Sequence, residues 1–573
     1  MALRVPAFAR LQALLLQEKR TFLALTIVVG VIAGLSAVAF SVAIDRVARL
    51  FFGENPPLLR LFLVPVLVSL VTGMLLAWVF PDVRGSGVPQ TEAAFHLHGG
   101  VIPARVPIGK FITGVLCIAS GHSMGREGPS VQIGGGIASV IGQRLKLSPN
   151  RVRDLLAVGT AGALSAAFNT PVAAVIFTLE EIIGDMNASL IGSTVVASVA
   201  AVVVERSLLG NEPLFRVPTY HLVHPAELLA YAILGVVGGA VSVAFCKGLL
   251  ALRAWFQSLP SRTRPLQPAI GGVFIGLLIM AAPQVMGVGY RFVDQALDGR
   301  MALTLLLSLC VLKLVATIVS YASGNAGGIF APSLYIGAMA GGAIGTLVHQ
   351  YAPFPTGDPG AYALVGMGTL FAGIIRAPMT SVFMIFELTQ DYQIIVPLMV
   401  ANLLALTISR RYQPIPVYHA LLQQDHIHLP SAEARQLSHT MTARDVMSPD
   451  VPHLPADESI AAALTAIGGT PVEAGLVGTP DGVIGVVTAE ALRAAVEGGR
   501  GAEPVGSVAE TLQVHVHPDH GLDVVFDRLV QSRGALPVVN RDHVRRVSGV
   551  VTLPRLMEAL SARAGGRGVG TAS

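Results

Sequence analysis

The chain has 573 residues, 53% of them hydrophobic and only 13% charged, with 61 glycines and a formal net charge of +4. So apolar a composition, with a mean hydropathy of +0.65, excludes an ordinary soluble globular protein, and the net charge is too small to imply a nucleic-acid partner. The three cysteines, Cys117, Cys246 and Cys310, lie in apolar stretches at no paired spacing, which suggests neither a disulfide framework nor a metal site.

In chain order, the first 20 residues carry Arg4, Arg10, Lys19 and Arg20 around a short apolar patch too interrupted for a signal-peptide core. They read as a helix on the cytoplasmic side, ahead of the first span. Thr21–Ile44, Leu61–Phe80 and Leu155–Leu179 each run for 20 or more residues without Asp, Glu, Lys or Arg, about the length a spanning helix needs. A multi-pass membrane protein is expected, its apolar region reaching about Ser409. Met379–Phe386 and the run before Lys313 read as too short to cross alone, and Leu314–Gly357 is interrupted by "GNAGGIFAPS". Broken helices follow from these interruptions. Unpaired backbone survives at membrane depth only where it is buried in protein or lines a polar cavity, so the interruptions point to a substrate site.

The apolar region is duplicated. "GREGPSVQIG" (Gly125–Gly134) and "GIFAPSLYIG" (Gly328–Gly337) share G-x-x-x-P-S-x-x-I-G. Downstream, Leu156–Glu181 matches Ala363–Leu388, with Gly to Pro at a spacing of twelve and Pro to Glu at nine in both. The repeats, about 60–205 and 265–409, suggest a transport fold with its site where the halves meet. After Arg410 the composition changes. From about Ala443 short Val-rich strands alternate with amphipathic helices, and this part is doubled too, with "GVVT" at Gly485–Thr488 and again at Gly549–Thr552. The tail from Gly565 is Gly-rich and reads as disordered.

Three glycine-rich breaks, "GSGVP" (Gly85–Pro89), "GREGP" (Gly125–Pro129) and "GGIFAP" (Gly327–Pro332), each precede a helix start. A helix N-terminus offers unpaired N–H groups and partial positive charge, an anion site without a full cation. Gly85, Gly87, Gly125, Arg126, Gly128 and Gly328 are the candidate residues of such termini, and Ser86 adds a hydroxyl. The alternative is that the glycines only let helices pack closely. Glu127 lies inside one break, where a carboxylate is either ionised and seated in the anion site or protonated and swung out of it, unless it forms a fixed ion pair with Arg126. Its repeat equivalent is Phe330, so packing symmetry does not demand an acid there. Glu180 matches Glu387 and reads as architectural. Glu181 matches Leu388 and reads as a second proton station or a solvated carboxylate at a helix end.

These three segments, in this order, are similar to the signature segments of the CLC chloride channels and proton-coupled chloride transporters. The resemblance covers about Thr21–Gln424, and the residues beyond resemble a pair of CBS domains (443–498 and 505–562), joined by a linker (425–442) and followed by a short tail (563–573). It implies an all-α, polytopic, inverted-repeat membrane fold with a cytoplasmic α/β CBS pair, set in the cell's inner membrane. It also implies a homodimer with one pore per subunit. Anion coordination would fall to Ser86 and Tyr418, with backbone N–H groups at Ile329 and Phe330; Tyr418 matches by its place in "YQPIPVYHALL". Glu127 would be the external gate and Glu181 the internal proton-transfer residue. Channels of the family generally lack that second acid, so the resemblance implies an antiporter of chloride against protons, with a passive chloride channel of the same fold as the alternative. Ser86 resembles chloride-preferring members, since nitrate-preferring plant relatives carry proline there. Fluoride exporters depart from the GREGP pattern kept here.

CBS modules that hold adenine ribose often place Asp three residues after Thr or Ser, whereas Thr488 is followed by Ala491 and Thr552 by Arg555. A nucleotide site of the usual kind is therefore not expected, and Arg545, Arg546 and Arg555 read as solvated rather than phosphate-binding. No other cofactor is expected. An intramembrane metalloprotease would need H-E-x-x-H, a string that does not occur, and His96 and His98 in "FHLHG" read as a surface loop. A ligand-sensing CBS pair on a mere membrane anchor fits poorly with the signature anion motifs.

Overall fold

The computed structural model describes residues 7–185, 188–210, 214–215, 217, 223–389, 392–427, 429, 441–468, 474–479, 482–512, 514–532, 534–556 and 558–559. The chain divides into two compact units, Met1–Leu429 and Pro430–Ser573. Most of the expected linker and the Gly-rich tail lie outside the described residues.

Among the described residues of the first unit, six helices are long and apolar enough to cross a membrane: Thr21–Phe52, Leu58–Val79, Leu190–Leu209, Glu227–Ser258, Leu303–Ala322 and Phe330–Tyr351. Leu67, Leu229, Ile233 and Leu403 point outward while Lys110, Gln132, Lys313 and Asn402 are buried, the reverse of a soluble protein's distribution. This is a multi-pass membrane protein. Its first helix is continuous from Ala7 to Phe52, so no structural break stands at the expected boundary after residue 20.

Two expected spans change. Leu155–Leu179 is not one helix. The Pro149–Phe168 helix stops at Asn169, which adopts φ 59°, and Pro171 starts a short helix to Phe177. Asn tolerates the left-handed conformation and a proline cannot continue a helix, so together they break an uncharged run that composition reads as continuous. The second repeat breaks at the matching place, Arg376 (φ 73°) before Pro378. Lys313, in contrast, ends nothing. Leu303–Ala322 runs straight through it as a 20-residue helix long enough to span, because its ammonium group finds carbonyl partners inside the protein.

Some glycines do serve close packing. The helices Glu127–Arg144 and Pro149–Phe168 approach so closely that a methyl on Gly134 would strike the Gly159 carbonyl, and Gly337 meets Gly366 in the same way in the second repeat.

The second unit is α/β. In its first half β1 (His453–Pro455) runs parallel to β2 (Ala474–Thr479), which pairs antiparallel with β3 (Gly482–Thr488), itself flanked by β4 (Glu510–Thr511). Leu454, Ile460, Ile467, Val477, Val487 and Leu492 form its core. In the second half β5 (Ala535–Asn540) and β6 (His543–Thr552) form an antiparallel pair over Leu522, Val525 and Leu536. Both "GVVT" strings end the second strand of an antiparallel pair.

Candidate functional site

The three breaks meet. Gly85 N–H donates to the Asn325 carbonyl (3.2 Å) and the Gly85 carbonyl accepts from Gly327 N–H (3.1 Å). Gly125 and Gly328 exchange both of their backbone hydrogen bonds at 2.8 Å. Gly85 and Gly87 hold φ of 77° and 105°, which a side chain would disfavour, and a methyl on Gly128 would collide with Ser86. Here the glycines permit main chain to approach main chain, and the helices starting at Val88, Glu127 and Phe330 all begin at this junction. The first-turn amides of Ile329 and Phe330 have no acceptor within their own helix.

Glu127 is fully buried at this point. Its Oε1 accepts a 2.6 Å hydrogen bond from Tyr290 Oη. Oε2 makes no well-formed hydrogen bond but lies over Gly125, within electrostatic reach of the amides of Glu127 itself and Ala331. The carboxylate thus sits between the N-termini of two helices, one from each repeat. Arg126 does not form the ion pair that adjacency suggested: its guanidinium donates to the Ala167 carbonyl (3.3 Å) and lies 5.6 Å from the Tyr290 ring centre.

Ser86 is buried, its amide donating to Tyr321 Oη (3.3 Å) while its hydroxyl makes no well-formed hydrogen bond. Tyr418, near the start of the short Val417–Gln424 helix, is also buried; its hydroxyl makes no well-formed hydrogen bond but lies within reach of the Ser86 hydroxyl and interacts electrostatically with Glu127 and Glu181. Buried polar atoms are seldom left without a well-formed hydrogen bond. Three of them, Ser86 Oγ, Tyr418 Oη and Glu127 Oε2, gather at this junction. The Phe330 ring turns the other way, against Phe168, Phe177 and Phe371 with ring centres 4.7, 5.7 and 4.3 Å away, so that residue offers its backbone to the junction and its ring to the core.

Glu180 and Glu181 share a wide π-helical turn, Thr178–Ile183. Such turns re-aim neighbouring side chains. Glu180 accepts from Thr380 N–H (2.9 Å), Thr380 Oγ1 (2.7 Å) and Met379 N–H (3.3 Å), at the start of the Pro378–Thr389 helix. Glu181, half-buried, interacts instead with Tyr418 and Arg376.

Several supports escaped the sequence reading. Lys110 Nζ donates to the carbonyls of Val83 (3.0 Å) and Gly85 (2.6 Å), and Lys313 Nζ to those of Val285 (2.9 Å) and Gly287 (2.6 Å). Each buried lysine clamps the loop before a helix start, and the two stand in the same register as the aligned prolines Pro129 and Pro332. "GVGY" (Gly287–Tyr290), with both glycines at positive φ, is thus the second repeat's counterpart of "GSGV" (Gly85–Val88), and it delivers Tyr290 to Glu127. Asn325 takes the Gly85 amide on its carbonyl and accepts from Cys117 Sγ (3.2 Å). His96 lies in the last helical turn before Leu97, edge-on to Phe95, rather than in a loop.

Paired repeats, broken helices and a buried carboxylate among unsatisfied amides and hydroxyls define an inverted-repeat membrane transport protein built around an anion-type site. The chain belongs to the voltage-gated chloride channel family, whose model matches residues 68–410; CBS domain models match 443–498 and 505–562. It is similar to the H(+)/Cl(-) exchange transporter ClcA of Vibrio campbellii, 32% identical over 69% of this chain and 88% of the relative. The same named protein of Yersinia pestis is 32% identical over 69% and 86%. Among solved structures, a slow cyanobacterial Cl-/H+ antiporter superposes with a TM-score of 0.64 at 28% identity, covering 70% of this chain and 97% of its own. A eukaryotic CLC transporter covers 94% and 98% at a TM-score of 0.65 and 20% identity, a likeness of fold.

Proposed function

We propose that the chain exchanges chloride for protons across the membrane, with Glu127 as the outer gate and Glu181 as the inner proton-transfer residue. The observation that carries this reading is the Glu127 carboxylate, wholly buried between the first-turn amides of two helices and within electrostatic reach of the buried Tyr418 hydroxyl. A carboxylate and a halide compete for the same donors there. Ionised, Glu127 fills the seat; protonated, it needs those amides less and yields them to chloride, so each passage couples an anion to a proton. Ser86, Tyr418 and the amides of Ile329 and Phe330 hold the anion further in. Glu181, turned away from the capping site that Glu180 occupies, passes the proton to the inner solution. The relatives whose names carry H+/Cl− exchange support the exchanger over the passive channel.

In the same reading the N-terminus and the CBS pair face the cytoplasm and the protein works as an inner-membrane homodimer. The Arg-rich ends of its spans, Arg253 to Arg264 and Arg410 to Arg411, favour that orientation. The CBS pair serves assembly or slow regulation without a ribose site, as Thr488 Oγ1 caps its own helix through Ala491 N–H (3.3 Å) and Arg555 pairs with Glu558 (2.8 Å).

Reconstituted flux with Glu127→Gln and Glu181→Gln tests the assignment. Both variants lose chloride-driven proton uptake, and Glu181→Gln keeps its chloride flux. Coupled proton movement surviving in Glu181→Gln removes that residue from the mechanism, and wild-type protein unable to drive protons uphill establishes the channel.

A further inference from the structure

Behind the Ser86 loop lies a cavity of about 1260 Å³. Ser86, Glu127, Phe330 and Tyr418 do not line it, but Gly85 does, so it adjoins the junction described above from behind. Its wall carries four guanidinium groups: Arg84 from the first repeat, Arg253 at the end of a spanning helix, and Arg262 and Arg264 from the turn that follows. Arg253 is matched by Asp425 at 2.6 Å, and Asp82, also on the wall, is taken by Arg105 at 2.6 Å. Among the described residues no carboxylate pairs with Arg84, Arg262 or Arg264; Arg84 donates to the Arg264 carbonyl (3.1 Å), which draws the like charges together. Asp425 also acts on Arg84 from beyond ion-pair distance, but the four guanidinium groups outnumber the two carboxylates on the wall and focus a field suited to an anion, and their forked donors match phosphate oxygens.

The membrane level is marked as well. The chain's only two tryptophans stand here. Trp78, 71% exposed near the end of the Leu58–Val79 span, lines the cavity. Trp255, 52% exposed in the last turn of Glu227–Ser258, packs 4.9 Å from Phe256, another lining residue. Tryptophans at span ends sit at the headgroup level.

We propose that this cavity binds a phosphate-bearing anion, presented as the headgroup of an anionic lipid from the adjoining leaflet. The inner wall gives such binding a route to transport. Gln90 and Tyr321 line the cavity and also hold the Ser86 loop, Gln90 Oε1 accepting from Gly87 N–H (2.9 Å) and Tyr321 Oη from Ser86 N–H (3.3 Å).

The test is thermal unfolding of the full chain in neutral detergent, titrated separately with phosphatidylglycerol, phosphatidylcholine and inorganic pyrophosphate. Wild type is compared with the double variants Arg262→Gln/Arg264→Gln and Arg262→Lys/Arg264→Lys, each checked for its unfolding temperature without additive. Phosphatidylglycerol saturably raises the wild-type temperature while phosphatidylcholine does not. The glutamine variant needs at least about tenfold more of it, and the lysine variant retains most of the response. A pyrophosphate response in place of the lipid response, lost in the glutamine variant, assigns the site to a free phosphate. The proposal is overturned if neither phosphate ligand acts, if phosphatidylcholine acts equally, or if the glutamine variant responds like wild type.

Discussion

Glu180 and Glu387 hold equivalent places in the two repeats, and each closes the other repeat's helix. Glu387 accepts from Val172 N–H (2.9 Å) and Ala173 N–H (2.7 Å), as Glu180 does from Met379 and Thr380. A carboxylate on a helix N-terminus satisfies donors the helix cannot and complements its dipole. Glu180→Ala and Glu387→Ala each lower stability by about 1–2 kcal/mol, in the range of a lost N-terminal cap, and by similar amounts because the contacts are reciprocal. Thermal unfolding of both variants in detergent checks this, and a loss confined to one of them contradicts the symmetry.

The buried lysines are the second reciprocal device. Lys313→Met strands the Val285 and Gly287 carbonyls and Lys110→Met the Val83 carbonyl, since Gly85 keeps its bond from Gly327 N–H, at about 1–3 kcal/mol for each buried group left unpaired. Lys110 bears directly on Gly85, beside Ser86, whereas Lys313 bears on Gly287, near Tyr290. Both variants unfold at lower temperature, and both alter chloride flux in liposomes through the loops they release. A variant with wild-type stability shows that solvent replaces the clamp.

The repeat made much of this legible from sequence. Aligning its halves separates Glu180 from Glu181 and Glu127 from Phe330 before any coordinates, because shared positions report architecture and unshared ones do not. It carried further than the reading took it: Lys110 and Lys313 keep the same register, and "GVGY" answers "GSGV", yet neither pair has the Pro-Ser anchor that draws the eye. Tyr290 and Asn325 were illegible for another reason. The partners of their side chains across the fold, Glu127 and Cys117, are far away in the chain, and nothing local in "GYRF" or "GNAG" says where a phenol or an amide will point. The broken span at Asn169 shows the limit of hydropathy, which measures transfer and not backbone conformation.

Tyr290 is where that limit touches function. Its hydroxyl is the one well-formed hydrogen bond to the Glu127 carboxylate, and a bond to a charged group contributes about 1.5–3 kcal/mol. Tyr290→Phe weakens the seated carboxylate while keeping the ring, including its edge contact with Phe215 at 5.1 Å. Chloride turnover at fixed pH therefore rises, by about tenfold for each 1.4 kcal/mol by which the seat is weakened. Stopped or unchanged turnover, in a variant of normal stability, excludes Tyr290 as a holder of the gate.

The second unit carries a pH dependence of its own. His520 Nδ1 accepts from His517 N–H at 3.2 Å, so the ring must be unprotonated at that nitrogen. Partial burial, then the neighbouring His517 and Arg528, hold its pKa below the usual 6.5. The unfolded chain therefore binds more protons than the folded one between the lowered value and 6.5, and stability in that window rises with pH. The contribution is complete above about pH 6.5 and is lost as the pH falls toward the lowered value. Nearby, Arg541 donates to Asp519 at 2.8 Å and holds that carboxyl below its ordinary value, a contribution present above the ordinary carboxylate range and lost only at lower pH. Hydrogen exchange of β5 amides in the full chain separates the two. Acidifying from pH 7 to 5.5 speeds their exchange in wild type, after correction for intrinsic rates, and His520→Gln flattens that response while Asp519→Asn does not. A wild-type profile without slope across this window shows that the His517 amide does not depend on the charge of His520.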